Sequence, residues 1–276
     1  MEIGSSSSHA PMKTVVYQSY RTENVPGWIS RCLDTVRAWA KESQYDYEFY
    51  DDSFFDCLPQ WYKDKTEGNM CLMSDLARLY TAKRLLAQGY ERAIWVDADM
   101  IVFDSANFVI PVQSGFAFCR EAWVEKEWGR YSMSERVNNA VSVFTAGSED
   151  FLEFYISACI TIVRESQGMP QKIAVGTIFL TNLHSQIKFP LLNNVGLFSP
   201  AIMQAILTDS ARGLREYARG FGYPVAAANL CSSFRGPMED EMFETVIEKL
   251  IESKGGIVNR YSQEGKSLGP FSRLFK

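Results

Sequence analysis

Ala93-Ile-Trp-Val-Asp-Ala-Asp-Met-Ile-Val-Phe103 is the stretch on which the reading of this chain turns. Two carboxylates, Asp97 and Asp99, interrupt an apolar run of the kind that forms a strand buried in a parallel or mixed sheet. A charge in that setting is costly unless something neutralises it. Two residues apart on one strand, the two side chains face the same way, roughly 6–7 Å apart along the chain. That spacing suits a divalent cation with a phosphate between or beside the carboxylates. A structural ion pair would need cationic partners, and none lies within the run.

The segments before this run alternate strand and helix. Residues 14–19 are a β-branched first strand, and Pro26 opens a helix with Ile29, Cys32, Leu33, Val36 and Ala40 on one face. Residues 45–50 alternate as a second strand ending at Asp51-Asp52. Leu72, Met73, Leu76, Leu79, Tyr80 and Leu86 keep helical spacing up to Gly89, a C-terminal stop. Residues 116–119 and 140–144 are further strand candidates. Leu152 to Val163 and Met242 to Ile251 carry helical patterns, with Glu239-Asp-Glu241 starting the second. The pattern predicts an α/β layer fold, a mixed and mostly parallel sheet with helices on both faces. In such sheets ligands bind beyond the carboxyl ends of the strands. The expected pocket wall is therefore Gln18, Ser19, Tyr20 and Arg21 after the first strand, with Asp97 to Met100 after the third.

Composition narrows the chemistry. The 276 residues are 46% hydrophobic, enough for a large core, and the formal charge is −5 (28 Lys and Arg against 33 Asp and Glu). That balance argues against a nucleic-acid partner. Cys32, Cys57, Cys71, Cys119, Cys159 and Cys231 form no CxxC and read as reduced core thiols of a cytoplasmic protein. No run approaches the ~18 apolar residues of a membrane span, and no signal-peptide core is visible. Residues 1–12 are polar and Ser-rich and read as a leader outside the fold. The histidines are His9, in that leader, and His184, beside a helical pattern and expected on a helix surface or partly buried with its hydrogen bonds satisfied. A Ser-His-Asp or Cys-His hydrolase, or a His-rich metal site, would have to rest on His184 alone. Carboxylates, a hard metal ion and positioning are the expected means.

Further segments join the acidic run in one pattern: Val16-Tyr-Gln-Ser-Tyr-Arg21, Ser74-Asp75-Leu-Ala-Arg78, Asn138-Asn139-Ala140 with Phe144, Val175-Gly176-Thr177, and Asn229-Leu-Cys-Ser-Ser233-Phe234. With Trp95-Val-Asp97-Ala98-Asp99 they resemble nucleotide-sugar glycosyltransferases of the GT-A fold. The likeness is to the family 32 group with its Asp-x-Asp motif and to its bacterial glycosylating-toxin relatives. It spans residues 14–234 and is specific from 74 to 99. Gly89-Tyr-Glu-Arg-Ala93 replaces the usual Gly-Gly and is closer to family 8, and the turn at Gly176-Thr177 lacks the family's proline. Asn229 stands where the family has a metal-holding histidine.

The resemblance implies one GT-A domain over 13–276, with a nucleotide-sugar half (13–110) and an acceptor half with C-terminal tail (111–276). Asp99 would chelate Mn²⁺ or Mg²⁺, and Asp97 would touch the ribose and reach the metal directly or through water. Ala98 belongs to the same donor site. Asn229 completes the metal site if it ligates through its amide oxygen; otherwise two carboxylates and the diphosphate must suffice. Ser74, Asp75 and Arg78 would recognise donor-sugar hydroxyls, Arg78 also offsetting phosphate charge. The competing reading of Asp75 and Arg78 is a surface ion pair of about 0.3–0.5 kcal/mol. Tyr17 and Gln18 would flank the base, Tyr17 being equally readable as a core aromatic. Arg21 is a diphosphate contact or a solvated loop residue. Asn139, ahead of Asn138, would face the acceptor and join Asp97, Asp99 and Arg78 in catalysis. Phe234 caps the nucleotide or anchors a loop.

The implied activity is metal-dependent transfer of a hexose from a UDP or GDP donor to an acceptor hydroxyl with retention, the leaving phosphate taking the acceptor proton. The acceptor class is open: a glycan, a lipid-linked glycan, a small molecule or a protein side chain. Inversion would need a base such as Glu121, Glu125 or Glu127. Two rivals stand beside it. One is a sugar-nucleotide-binding protein with a degraded metal site and no transfer. The other is an Asp-x-Asp phosphatase, disfavoured because that motif normally sits on the first strand. Arg260, Lys266, Arg273 and Lys276, mixed with Tyr261, Phe271, Leu274 and Phe275, form a tail that either meets anionic membrane or packs back on its domain.

Overall fold

The computed structural model describes residues 12–264. Strand β1 (Thr14–Ser19) is followed by α1 (Gly27–Glu42), β2 (Asp46–Tyr50), α2 (Gln60–Lys65), α3 (Met70–Ala87) and β3 (Arg92–Val96). Then come β4 (Met100–Val102), β5 (Phe116–Glu127), β6 (Arg130–Thr145), α4 (Glu149–Glu165) and α5 (Phe179–Gln186). The last third contains β7 (Leu191–Leu192), β8 (Val195–Leu197), α6 (Pro200–Leu207), α7 (Ala211–Phe221), β9 (Ala227–Asn229), α8 (Asp240–Glu252) and α9 (Gly256–Glu264). Pro26 precedes α1, where its missing N–H costs nothing. The Asn69 side chain accepts from the N–H groups of Cys71 and Leu72 and caps α3. Beyond the end of that helix Gly89 takes φ +92°, open to glycine without strain.

The main sheet has the order β2-β1-β3-β6-β5-β7. β2, β1 and β3 are mutually parallel, β6 runs against β3 and β5, and β7 is parallel to β5. Strand alternation sends Val15, Tyr17, Ala93 and Trp95 into a core with α3 and α4. Val16, Ile94 and Val96 go the other way, against Val36, Trp39 and Ala40 of α1. The sheet is thus mixed, with parallel pairs outnumbering antiparallel ones and helices on both faces, as the pattern predicts. A second sheet, β4-β9-β8, packs with α1, α6, α7 and α8 around a separate apolar cluster.

Two local expectations are corrected. Asp97 and Asp99 do not lie on a strand: β3 stops at Val96, and the Met100 N–H donates to the Asp97 carbonyl at 3.1 Å across a turn. The apolar residues after the turn belong to β4, which leaves the main sheet to pair with β9. An apolar run does not reveal that its two halves enter different sheets. The candidate strands at 116–119 and 140–144 are the buried bases of a hairpin whose strands continue to Glu127 and Arg130, joined by Trp128 and Gly129 at φ +49° and +74°. Its outer half is polar and carries no apolar alternation. Among the described residues no helix is long and apolar enough to cross a membrane. Arg260 and Tyr261 lie on α9, while residues 1–11 of the leader and 265–276 of the tail fall outside the described residues.

Candidate active site

A cavity of about 560 Å³ opens beyond the ends of β1 and β3. Ser19, Tyr20 and Arg21 line it from the first strand, Ser74, Asp75 and Arg78 from α3, and Asp97, Ala98 and Asp99 from the turn after β3. Glu121 and Trp123 of β5, Asn138 and Asn139 of β6, Lys172, Thr177, Asn229 and the 232–234 turn also line it. Residues from both 13–110 and 111–264 therefore meet at one place.

Tyr17 and Gln18 stand behind this wall, not in it. Tyr17 is fully buried on the α3 side, and its hydroxyl donates to the Arg78 carbonyl at 2.8 Å. Gln18 is buried too; its amide donates to the Asp97 carbonyl at 3.1 Å and accepts from the Tyr47 hydroxyl at 3.0 Å. Each braces a residue of the cavity, so the expectation that they flank a base is corrected.

Arg78 organises the donor side. Its Nε donates to the Ser74 carbonyl (3.1 Å) and Nη2 to the Ser74 hydroxyl (3.1 Å). Nη1 donates to the Asn139 carbonyl at 2.8 Å and pairs with Asp97 at 3.2 Å, and Nη2 pairs with Asp75 at 3.2 Å. The guanidinium also lies 4.7 Å from the Trp95 ring centroid. A guanidinium has five N–H donors, and here each has a protein acceptor. Arg78 and Asp75 are both buried, so the surface-pair reading fails. So does the idea that Arg78 reaches phosphate directly: no donor is left for it. Burial pushes the Asp75 carboxyl up, against the pull of Arg78 and of the Asn139 amide that donates to it at 2.8 Å.

Neighbouring residues on a strand should face opposite ways, yet Asn138 and Asn139 both reach the cavity. The β5–β6 register shifts between the pairs Ala117–Val143 and Cys119–Asn138, so Asn139 lies outside the regular β5 ladder and strict alternation does not hold there. Asn138 donates to Glu121 (3.0 Å) and to the Thr177 hydroxyl (3.2 Å). Glu121 is 2% exposed, and burial raises its carboxyl pKa against the pull of Asn138 and of Arg136, 3.9 Å away. Glu125 and Glu127 line a different cavity of about 460 Å³ between the hairpin and α6. Gly176 sits in a one-turn π segment, Ala174–Ile178, where a Cβ would come within 2.8 Å of Asp75 Oδ2 and 3.1 Å of the Asn139 amide. The glycine is what lets this turn close on the donor side. His184 packs on Phe189 outside the cavity.

At the Asp97–Asp99 turn each carboxylate oxygen already has a donor. Asp97 Oδ1 accepts from Trp95 Nε1 (2.6 Å) and faces Arg78; Asp99 Oδ2 accepts from the Ser232 N–H (2.8 Å). The two remaining oxygens, Asp97 Oδ2 and Asp99 Oδ1, accept from the same Asn229 Nδ2 at 3.2 and 2.8 Å. The Asn229 oxygen is turned away and accepts from the Cys231 N–H at 2.6 Å. Flipping the amide would set N–H₂ against N–H and oxygen against two carboxylates, so this orientation is determined by its partners. Loss of solvent raises Asp97 to about 7, Arg78 opposing and the neighbouring Asp99 charge assisting.

These residues do not fit Mn²⁺ or Mg²⁺ as expected. Asn229 offers a donor where a metal needs an acceptor, and its N–H₂ group stands between the two carboxylates. Among the described residues no group of three or more His, Cys, Asp or Glu is arranged to hold a metal ion.

Several wall residues were not singled out from sequence. Trp123, with its ring edge against Phe234 (centroids 5.5 Å apart), is one. Ser232 acts through its backbone, which no side-chain pattern announces. Lys172 donates to the Ser233 carbonyl at 2.5 Å, its ammonium 3.5 Å from the Phe234 ring centroid. An isolated lysine in a polar stretch carries no sequence signal. Phe234 itself does reach the cavity.

No protein-family model and no curated protein matches the chain. Among solved structures it is similar to a glycosyltransferase involved in glycosylation of the major capsid of PBCV-1, at 10% identity and TM-score 0.48 over 84% of this chain and 98% of that one. Apo mouse xyloside xylosyltransferase 1 gives 10% identity and TM-score 0.43 over 83% and 99%. The glycosyltransferase GlyE of Streptococcus pneumoniae TIGR4 gives 12% and 0.42 over 97% and 67%.

Proposed function

We propose that this chain is a glycosyltransferase that moves a hexose from a nucleoside diphosphate, UDP or GDP, to an acceptor hydroxyl. The observation that carries this reading is the convergence of Ser74, Asp75, Asn139, Asp97 and Asp99 on one cavity of about 560 Å³ at the strand ends. That volume suits a ligand of nucleotide-sugar size. Ser74 and the Asp75–Asn139 pair offer a hydroxyl, a carboxyl group and an amide to sugar hydroxyls, while Arg78 orients Asp75 and Asp97. Arg21, exposed at the rim, is the diphosphate contact on the first-strand side. Asp99, Asp97 and Ala98 meet the ribose and pyrophosphate end. Mn²⁺ and Mg²⁺ take no step in this scheme, because Asn229 presents the wrong atom.

The C1–O bond to the leaving phosphate breaks as the acceptor oxygen bonds to C1, and the acceptor proton passes to a phosphate oxygen, with retention. Supporting this is the position of His184, away from the cavity. A second reading, inversion with Glu121 as base, is favoured by that buried carboxylate with a raised pKa. The product anomer, read by NMR, separates them: under retention Glu121→Gln still turns over, under inversion it does not. The acceptor is a glycan, a lipid-linked glycan, a small molecule or a protein side chain. The free cysteines agree with a cytoplasmic protein.

The test is a thermal-shift screen of nucleotide-sugars followed by assay for released nucleoside diphosphate. One donor is expected to raise the melting temperature, and Asp75→Asn, which removes the carboxylate offered to the sugar hydroxyls, to reduce that shift. A melting temperature that no nucleotide-sugar moves would refute the assignment. Tight donor binding with no transfer or hydrolysis would instead favour the rival of a binding protein.

A further inference from the structure

We infer that donor binding here is independent of a divalent cation: the Asn229 amide occupies the place of a bridging ion, and Lys172 joins Arg21 in supplying the positive charge that the pyrophosphate needs. This deepens the donor reading above and rests on it. Asn229 Nδ2 contacts one oxygen of each carboxylate at 3.2 and 2.8 Å, the bridging position of an ion between Asp97 and Asp99. Its location follows from the fold. β4 and β9 pair with Met100 opposite Asn229, which brings the amide beside Asp99.

An amide bridge holds the turn but adds no net charge, so a pyrophosphate arriving here needs a cation from elsewhere. Arg21 stands at the rim with Nε and Nη2 donating to the Asn24 carbonyl, Arg78 has no free donor, and Arg136 is turned to Glu121, 3.9 Å away. Lys172 differs. It lines the same cavity and donates to one acceptor, the Ser233 carbonyl, leaving two of three ammonium protons for a ligand. The turn it grips is the one whose Ser232 N–H binds Asp99 at 2.8 Å. One short turn, residues 232–234, therefore fastens the acidic pair on one side and the ammonium on the other. The Phe234 ring beneath the ammonium fixes its height in the wall.

Calorimetric titration of the intact chain with UDP and GDP, in EDTA and again in Mn²⁺, tests the pair of claims. The dissociation constant is expected to change less than about twofold between the two conditions, and Lys172→Met to weaken binding about tenfold or more in EDTA. Mn²⁺ alone, followed by loss of its free-ion electron paramagnetic resonance signal, is expected to ignore the wild type. It should bind Asn229→Asp or Asn229→His, with circular dichroism confirming each fold. Binding that vanishes in EDTA and returns with Mn²⁺ overturns the inference and leaves the donor reading standing. No binding of either diphosphate under any condition overturns both. Undiminished affinity in Lys172→Met, or folded Asn229 variants that ignore Mn²⁺, would each overturn the corresponding half.

Discussion

Arg78 illustrates how a residue can be central to a site without meeting its ligand. Five N–H groups hold Ser74, Asp75, Asp97 and the Asn139 backbone in one arrangement. Arg78→Ala would leave two buried or half-buried carboxylates facing one another, and a loss of about 3–5 kcal/mol is expected in urea unfolding. Arg78→Lys keeps the charge but not the fork, so it should recover only part of that loss. Gly176→Ala drives a Cβ to 2.8 Å from Asp75 Oδ2. It should cost about 1–3 kcal/mol in the same measurement and lower donor affinity, because Asp75 and Asn139 must shift. Both aspartates of the turn were readable as chemistry-bearing residues from their apolar setting and spacing, and Asp75 and Arg78 through the resemblance of the segment from Ser74 to Arg78. Whether Arg78 touches phosphate was not readable, since that depends on how many of its donors the fold has already engaged.

At the scale of elements, the β5–β6 hairpin has two jobs at its two ends. Its base carries a register shift where Asn138 and Asn139 both reach the cavity, and its tip projects Trp128, fully exposed, at φ +49°. Left-handed backbone in a two-residue hairpin turn favours asparagine before glycine. Trp128→Asn should therefore raise stability by about 0.5 kcal/mol, visible as a higher melting temperature, with donor binding unchanged. Helix α3 was legible from Leu72 to its glycine stop, because apolar periodicity and Gly89 agree, while the Asn69 cap at its start emerged only in the structure. The hairpin was half-legible. Its inner strands are apolar, while Arg130 to Arg136 alternate nothing that burial demands. The register shift left no mark in the sequence, since register is decided by the partner strand.

Over the whole molecule, burial raises several carboxyls in one place: Asp75, Glu121 and above all Asp97, to about 7. An unfolded aspartate titrates near 4, so between about pH 4 and 7 the folded chain holds a proton that the unfolded chain releases. Stability from this group is complete below about pH 4 and declines as the pH rises through 7. Unfolding free energy measured across that window should fall, and Asp97→Asn should flatten the fall. The alternation of strand and helix through the first hundred residues, the α/β class and the acidic pair at the end of the third strand follow from the sequence by itself. Local periodicity, capping residues and the cost of an unneutralised charge are properties of neighbours along the chain. What only the tertiary structure decided is which atoms meet: β4 crossing to pair with β9, the Asn229 amide set between Asp97 and Asp99, and Lys172 gripping the turn at 232–234. Those contacts join residues 60 or more positions apart, and hydrogen-bond direction at such a distance is determined by packing, not by spacing.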